Sequence, residues 1–249
     1  MGEKIVSVEN LYFSYGKNKV LENVNFDIEK GDFVGIIGPN GSAKSTLMKL
    51  MIGILKLEKG NIKLFSTDID KFKDFHRIGY ISQNVREFNT KFPATVEEIV
   101  GANLYKKMGF FKIGNKKIYE NVHKALEVVE MEDYSDRLIG NLSGGQKQRI
   151  FIARALVSNP EILFMDEPLV GVDIESQNRF YDLMEKLNMK YNITLVMVSH
   201  DIGVISKKVN KILCLGNGKF YVHDSKNVEL SHVMGEIYGK NMDILDHDH

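Results

Sequence analysis

The stretch that most constrains the fold of this 249-residue chain is a glycine-rich turn between an apolar run and a helical pattern. Phe33–Ile37 is a continuous apolar run, typical of a strand buried on both faces of a parallel sheet. After the turn, apolar residues recur at helical spacing at Leu47, Leu50, Met51 and Ile54. A strand, a glycine-rich turn and a helix in this order predict an α/β fold with a loop that binds phosphate. The residues of that loop are Gly38, Pro39, Asn40, Gly41, Ser42, Ala43, Lys44, Ser45 and Thr46.

This phosphate loop carries the groups that ATP and Mg²⁺ require. Its backbone N–H groups and the helix N-terminus would wrap the phosphates, and Lys44 would bind the β- and γ-phosphates as a point charge. Ser45 would place its hydroxyl on Mg²⁺. Ala43 departs from the GxxxxGK[ST] pattern, which has glycine at that position. A left-handed backbone at Ala43 would cost roughly 1–2 kcal/mol, and the alternative is a loop that binds ATP poorly.

Polar side chains also follow three other strand-like runs. The apolar run Ile162–Met165 ends in Asp166, which would hold Mg²⁺, and Glu167, which would orient and polarise the attacking water. Gln83 would reach the metal and the water, and His200 would hydrogen-bond the γ-phosphate. Each residue alone is compatible with an ordinary strand end, but their combination with the phosphate loop favours a hydrolytic site.

A second glycine-rich stretch, Leu142–Gln146, lies about one hundred residues after the phosphate loop. Its serine and glutamine have capping-box spacing, which predicts a helix that continues to about Val157. Two glycines permit close backbone approach, and the positive end of the helix dipole suits a γ-phosphate. Because the stretch is distant from the phosphate loop along the chain, contact with ATP bound to a second subunit is favoured. The residues expected to make that contact are Ser143, Gly144, Gly145 and Gln146.

The rest of the chain alternates strand-like and helical patterns. Two alternating runs, Val6–Phe13 and Val20–Ile28, predict an antiparallel subsheet. We therefore expect a P-loop NTPase core with a mixed sheet, an inserted α-helical subdomain and a polar C-terminal tail. The expected boundaries are 1–85 and 160–225 for the core, 86–159 for the subdomain and 226–249 for the tail.

Local patterns support helices in the inserted subdomain. Thr95 and Glu98 have capping-box spacing before one helix. An apolar stripe marks one face of another helix, at Ile118, Val122, Ala125, Leu126 and Val129.

Charge and cysteine content limit the possible partners. Lysines plus arginines equal aspartates plus glutamates at 33 each, which argues against a nucleic-acid partner. The single cysteine, Cys214, excludes an internal disulfide and is expected to be a small apolar residue of a strand. No signal peptide is evident, and no apolar run is long enough to span a bilayer. If the protein functions at a membrane, we therefore expect it to bind there through a partner protein.

Together these stretches resemble the ATPase subunits of ABC transporters over residues 4–223. The resemblance implies that Tyr15 stacks on adenine and that Asp173 lies at a dimer interface. It also makes Glu167 the catalytic base, Gln83 the Q-loop residue and His200 the switch histidine. Leu142–Gln146 corresponds to the signature stretch of the family. Two such subunits enclose two ATP molecules, each between one phosphate loop and the partner's signature stretch, and their closure drives a permease. The resemblance therefore implies an ATP-dependent homodimer, held at the cytoplasmic face of the cell membrane by an integral-membrane permease.

Within that family the chain is most similar to zinc and manganese importer subunits, in which alanine can precede the loop lysine. The stretches that carry this likeness are Gly38–Lys44, Phe92–Glu98, Val170–Asp173 and Ser199–Val204. The likeness implies an ATP-hydrolysing motor for import of a divalent metal ion, together with an external metal-binding protein. Phe88 and Phe92 would either anchor the permease or pack inside the subdomain. The histidines and aspartates near the end of the tail would either bind Zn²⁺ or remain solvated.

Three alternatives share the nucleotide motifs. One is a soluble ABC ATPase of iron–sulfur cluster assembly, which works without a permease. A second is a weakly hydrolysing, ATP-binding regulatory module, which the substitution at Ala43 suggests. A DNA-repair ABC ATPase is excluded, because the chain has no room for a long coiled coil between the phosphate loop and the signature stretch.

Overall fold

The computed structural model describes residues 2–83, 93–104, 116–169, 171–216 and 218–224, together with Gly235. They belong to two compact units, one formed by Met1–Lys73 with Thr194–His249 and the other by Asp74–Ile193. The strands are β1 (Lys4–Tyr15), β2 (Asn18–Glu29), β3 (Phe33–Ile37), β4 (Lys59–Leu64), β5 (Thr67–Asp68), β6 (Ile78–Ile81), β7 (Ile162–Asp166), β8 (Thr194–Val198), β9 (Lys211–Gly216) and β10 (Lys219–Asp224). The helices are α1 (Lys44–Met51), α2 (Val96–Gly101), α3 (Lys116–Val128), α4 (Gly144–Leu156), α5 (Ile174–Tyr191) and α6 (Ile202–Lys208).

The predicted boundaries of the core, the helical subdomain and the tail stay predictions. Part of the proposed subdomain lies outside the described residues, including Phe88 and Phe92. The tail also lies outside them, apart from Gly235.

The first unit contains the predicted antiparallel subsheet. Strands β1 and β2 pair antiparallel, and the sheet has the order β2-β1-β4-β5. Buried residues alternate with exposed ones along much of β2, for example at Val24, Phe26 and Ile28. One apolar face and one solvated face are typical of an antiparallel sheet, so the sequence pattern is explained by burial of one face.

The same unit contains the parallel strands that carry the phosphate loop. Strand β3 pairs parallel with β8 on one side and with β9 on the other. Strand β10 is the edge strand of this sheet and pairs antiparallel with β9. All five residues of β3 and of β8 are buried, which accounts for the apolar runs Phe33–Ile37 and Leu195–Val198. Cys214 is fully buried in β9, as expected for a small apolar residue.

The second unit combines the parallel pair β6 and β7 with helices α2 to α5. The predicted capping box of Thr95 and Glu98 begins α2, and both of its hydrogen bonds are present. Helix α3 buries Val122, Ala125 and Leu126, which belong to the predicted apolar stripe. The α/β class and the antiparallel subsheet are therefore confirmed. Among the described residues, the structure has no helix that is both long and apolar enough to cross a membrane.

Candidate nucleotide-binding and hydrolytic site

The backbone of the phosphate loop is shaped at three positions with positive φ. Gly38 has φ 153°, and a Cβ there would collide with the carbonyl oxygen of Leu215, so glycine is required. Gly41 has φ 79° and Ala43 has φ 69° with ψ 20°. Ala43 therefore adopts the left-handed conformation that was considered from the sequence, at a cost of roughly 1–2 kcal/mol.

Lys44 is folded back over the loop that it follows. Its Nζ donates hydrogen bonds to the carbonyl oxygens of Gly38 and Pro39, both at 2.9 Å, and the residue is only 4% exposed. A buried ammonium group needs such acceptors, and a polyphosphate would offer it charged oxygens instead. The loop thus holds the Lys44 ammonium group close to the backbone amides that would surround an anionic ligand.

Two further features of the loop fit a phosphate ligand. Ser42 Oγ is buried and, among the described residues, has no hydrogen-bond partner. Ala43 is the N-cap residue of helix α1 and provides no side-chain cap, and the first turn of the helix has no acidic residue. Buried polar groups are usually satisfied, and uncapped amides at a helix N-terminus attract anions. The residues present therefore fit the triphosphate of ATP.

Tyr15 and His200 lie in the same unit as the loop. The phenol oxygen of Tyr15 is 3.3 Å from Thr46 Oγ1, and the side chain stays half-exposed with its ring edge-on to Phe13. An exposed ring at the end of the loop is available for stacking on a base. His200 is exposed after β8, and the backbone of the preceding Ser199 bonds to Ile36 of β3. The histidine and the loop therefore follow the carboxyl ends of adjacent parallel strands.

The second unit carries the predicted carboxylates. Asp166 ends β7 and is 3% exposed, and burial together with the negative charge of Asp166 raises the pKa of Tyr80 on β6. Glu167 follows in a left-handed conformation with φ 50°. Gln83 Nε2 donates a hydrogen bond of 3.1 Å to Glu167 Oε2. The structure therefore brings two of the three predicted catalytic side chains, Gln83 and Glu167, into direct contact.

The signature stretch begins α4 as the capping box predicted. Ser143 Oγ accepts from the Gln146 backbone N–H, and the Ser143 N–H donates to Gln146 Oε1. Neither Gly144 nor Gly145 has a positive φ, and a Cβ at either would meet nothing closer than 3.6 Å. Since neither conformation nor internal packing demands glycine here, close approach of an external group explains both glycines better. A cavity of about 560 Å³ adjoins this helix start.

Helix α5 begins beside the signature stretch. Asp173 is its N-cap and accepts a 2.9 Å hydrogen bond from the Ser176 backbone N–H, which is the main cause of the lowered pKa of Asp173. The Ser176 Oγ lies closest to a Cβ built on Gly145 and accepts a hydrogen bond from Arg179. The predicted dimer-interface aspartate and the signature stretch are thus neighbours within one unit.

One residue of this region was missed from the sequence. Gln148 is only 7% exposed, and its Nε2 donates a 3.0 Å hydrogen bond to the carbonyl oxygen of Pro168, directly after Glu167. Its position in the sequence could have indicated this role, because Gln148 precedes the apolar residues Phe151 and Ile152 by three and four positions. A polar residue at that spacing lies on the buried face of the helix.

Comparison with known proteins agrees with this geometry. The fold and the phosphate loop define a P-loop nucleotide-binding protein. A family model for ABC transporters matches residues 21–170. The chain therefore belongs to the ABC transporter family, as an ATP-binding and ATP-hydrolysing subunit.

Two relatives and one solved structure illustrate the similarity. The zinc uptake system ATP-binding protein ZurA of Listeria monocytogenes is 47% identical over 234 residues, which cover 94% of this chain and 90% of that protein. The manganese transport system ATP-binding protein MntB of Bacillus subtilis is 35% identical over 241 residues, which cover 96% of this chain and 94% of that protein. The dimeric structure of an ATP-binding cassette with ADP and Pi has a TM-score of 0.72 and 27% identity, covering 90% of this chain and 100% of that one.

Proposed function

We propose that this chain is the motor subunit of an importer for a divalent metal ion, zinc or manganese, and that it works by hydrolysing ATP. The names of the two relatives, with coverage of at least 90% of each protein, support the metal. The observation that carries the hydrolytic role is the carboxylate of Glu167, positioned by Gln83 after a buried strand.

The phosphate loop is assigned to binding. Lys44 would exchange its two carbonyl acceptors for oxygens of the β- and γ-phosphates, while Ser42, the uncapped start of α1 and the other loop amides would receive the remaining oxygens. Tyr15 would stack on the adenine base, because its exposed ring lies at the end of the loop. The residues proposed for this role are Tyr15, Gly38, Pro39, Asn40, Gly41, Ser42, Ala43, Lys44, Ser45 and Thr46.

Three oxygen donors are assigned to Mg²⁺, namely the Ser45 hydroxyl, the Asp166 carboxylate and the Gln83 amide oxygen. Hard oxygen ligands of this kind suit Mg²⁺. The hydrogen bond from Gln83 to Glu167 uses the amide nitrogen, which leaves Oε1 as the ligating atom. When bound, the ion neutralises negative charge on the phosphates.

Glu167 is assigned to the attacking water, whose proton it would attract while it orients the oxygen in line with the γ-phosphate. Gln83 holds that carboxylate by its side-chain nitrogen. His200 would donate a hydrogen bond to the γ-phosphate, and this contact would stabilise the charge that develops during transfer.

The signature residues Ser143, Gly144, Gly145 and Gln146 are assigned to the ATP bound by the partner in an ATP-dependent homodimer. The open space at Gly144, and the lack of any close contact at Gly145, support an external ligand at this helix start. An integral-membrane permease would place the dimer at the cytoplasmic face of the cell membrane, and an external metal-binding protein would deliver the ion.

Metal uptake tests this proposal directly. Cells of the source organism that lack this chain should lose uptake of radioactive zinc or manganese. The wild type should restore uptake, and Glu167→Gln should not. Glu120→Gln, the same change on the exposed face of α3, is the matched control and should restore it. Unchanged uptake of both metals, with capture of soluble cluster-assembly factors by the chain, would support the iron–sulfur alternative instead.

A further inference from the structure

Gln148 is a buried polar residue between the signature stretch and the catalytic carboxylate. It lies in the second turn of α4, whose N-cap is Ser143. Its side chain reaches across to the segment that follows β7, where Nε2 donates to the Pro168 carbonyl oxygen at 3.0 Å. Burying an amide is costly unless it is hydrogen-bonded, so this bond compensates the burial of Gln148 and ties α4 to that segment.

The segment that receives this bond is strained. Glu167 has φ 50°, a conformation that costs a non-glycine residue roughly 1–2 kcal/mol. A residue that precedes proline is normally extended, so Pro168 adds a second conflict. Such conformations persist only where surrounding contacts enforce them. Proline has no N–H, so at position 168 the carbonyl oxygen is the only main-chain group able to hydrogen-bond.

The start of α4, one turn before Gln148, is where an external ligand is expected. The capping box makes the first turn of the helix a defined unit, and Gln148 follows it by one turn. A helix transmits a shift of its first turn along its axis because its backbone hydrogen bonds are continuous. Displacement of the signature stretch would therefore reach the Pro168 carbonyl through one side chain.

We infer that Gln148 is a positioning residue that couples the signature stretch to the general base Glu167 of the same subunit. This inference rests on the proposed function. The signature stretch serves the ATP of the partner, whereas Glu167 serves the ATP on its own phosphate loop. Gln148 therefore makes hydrolysis at one site depend on occupancy of the other, and ATP turnover by the dimer is positively cooperative for this reason.

Two substitutions separate coupling from simple packing. Gln148→Met keeps the length of the side chain but removes the donor, and kcat should fall about 10-fold, the factor expected for one hydrogen bond. The Hill coefficient for ATP should fall toward unity, while the Kd for ATP in the presence of EDTA should stay unchanged. A role in packing alone would lower the unfolding temperature without changing the cooperativity.

Gln148→Glu provides a second readout that depends on pH. A buried carboxylate is favoured in its protonated form, and only that form donates to the Pro168 carbonyl. Relative to wild type at the same pH, kcat of Gln148→Glu should be low at about pH 8 and recover at about pH 6. Gln148→Met should show no recovery. This comparison within one folded variant keeps the test valid even if Gln148→Met is unstable.

Asn188→Asp is the matched control. Asn188 Nδ2 also donates to a backbone carbonyl oxygen, that of Ile193, at 3.0 Å, but at the far end of α5. Its substitution should leave kcat and the Hill coefficient unchanged. The coupling role alone would be overturned if turnover by Gln148→Met stayed cooperative and kcat of Gln148→Glu did not recover at about pH 6. Non-cooperative turnover by the wild type would overturn it as well. A wild type without turnover would overturn the proposed function and the coupling role together.

Discussion

Two segments that carry candidate site residues, one in each unit, place a non-glycine residue in the left-handed region, and they support it in different ways. Ala43 in the phosphate loop has φ 69°, with no side-chain cap on the helix that follows it. Glu167 after β7 has φ 50°, and it is flanked by two glutamine contacts. Gln83 bonds to its carboxylate, and Gln148 bonds to the next carbonyl oxygen along the chain.

The difference separates a loop held by its own local contacts from a segment held by residues distant in sequence. The phosphate loop closes on itself, because Lys44 bonds to carbonyl oxygens five and six positions earlier. A triphosphate would replace those contacts. The segment at Glu167 is supported by residues 84 and 20 positions away, so its carboxylate is oriented by the fold itself. Preorganised groups of this kind contribute most to catalysis, whereas adaptable ones contribute to binding.

The largest expected effect follows from neutralising the preorganised carboxylate. Glu167→Gln should lower kcat by about 100–1,000-fold, because loss of a general base removes a contribution of this size. The Kd for ATP should change little, since binding is assigned to the other loop. Phosphate release measures kcat, and light scattering with ATP should show that a dimer accumulates.

Glu120→Gln is the control for that experiment, because it makes the same chemical change on the exposed face of α3. Turnover by Glu167→Gln at a rate near that of Glu120→Gln would contradict the assignment of the base.

The next effect concerns the adaptable loop. Lys44→Met keeps much of the side-chain length but removes the charge, and the Kd for ATP should rise by roughly 100-fold, because hydrogen bonds to charged groups contribute about 1.5–3 kcal/mol. Calorimetric titration of ATP measures the change. Lys49→Met, in the last turn of the same helix, is the control and should bind ATP as the wild type does. Equal affinities of the two variants would show that the Lys44 charge does not contact phosphate.

The comparison also shows which features the sequence could predict. The phosphate loop, the capping boxes of α2 and α4 and the alternating strands β1 and β2 were predictable, because each depends on residues close together in sequence. Even the strain at Ala43 was foreseeable, since the position of the missing glycine in the pattern was known.

The supports of Glu167 were not predictable in the same way. The bond from Gln148 requires α4 to pack beside the segment after β7, and a single sequence does not specify that packing. The left-handed φ of Glu167 had no signal either, because proline at the next position favours an extended backbone. Similarly, the order β9-β3-β8 depends on crossovers between strands far apart in the chain.

A smaller effect tests the strain in the phosphate loop. Ala43→Gly should raise the free energy of unfolding by about 0.5–1 kcal/mol, because relief of left-handed strain outweighs the greater freedom of glycine in the unfolded chain. Urea denaturation measures the change, and ATP turnover should persist. Asn192→Gly, at a C-cap with φ 53°, is the control and should gain less, since asparagine tolerates this conformation. A loss of stability in Ala43→Gly would show that the methyl group makes a compensating contact.

The smallest expected effect concerns the charged cap of α5, which contrasts with the neutral Ser143 cap of α4. The hydrogen bond from the Ser176 backbone N–H lowers the pKa of Asp173 below the ordinary value of 3.8. Its ionised form therefore stabilises the fold above pH 3.8, and this stabilisation is lost as the pH falls through the lower folded pKa. Asp173→Asn keeps the acceptor but cannot ionise, so its unfolding temperature should fall less steeply below about pH 4 than that of the wild type.

Asp136→Asn, which removes another exposed carboxylate, is the control. If Asp173→Asn and the wild type lose stability in parallel on acidification, the Asp173 cap acts through its hydrogen bond alone and its charge contributes nothing.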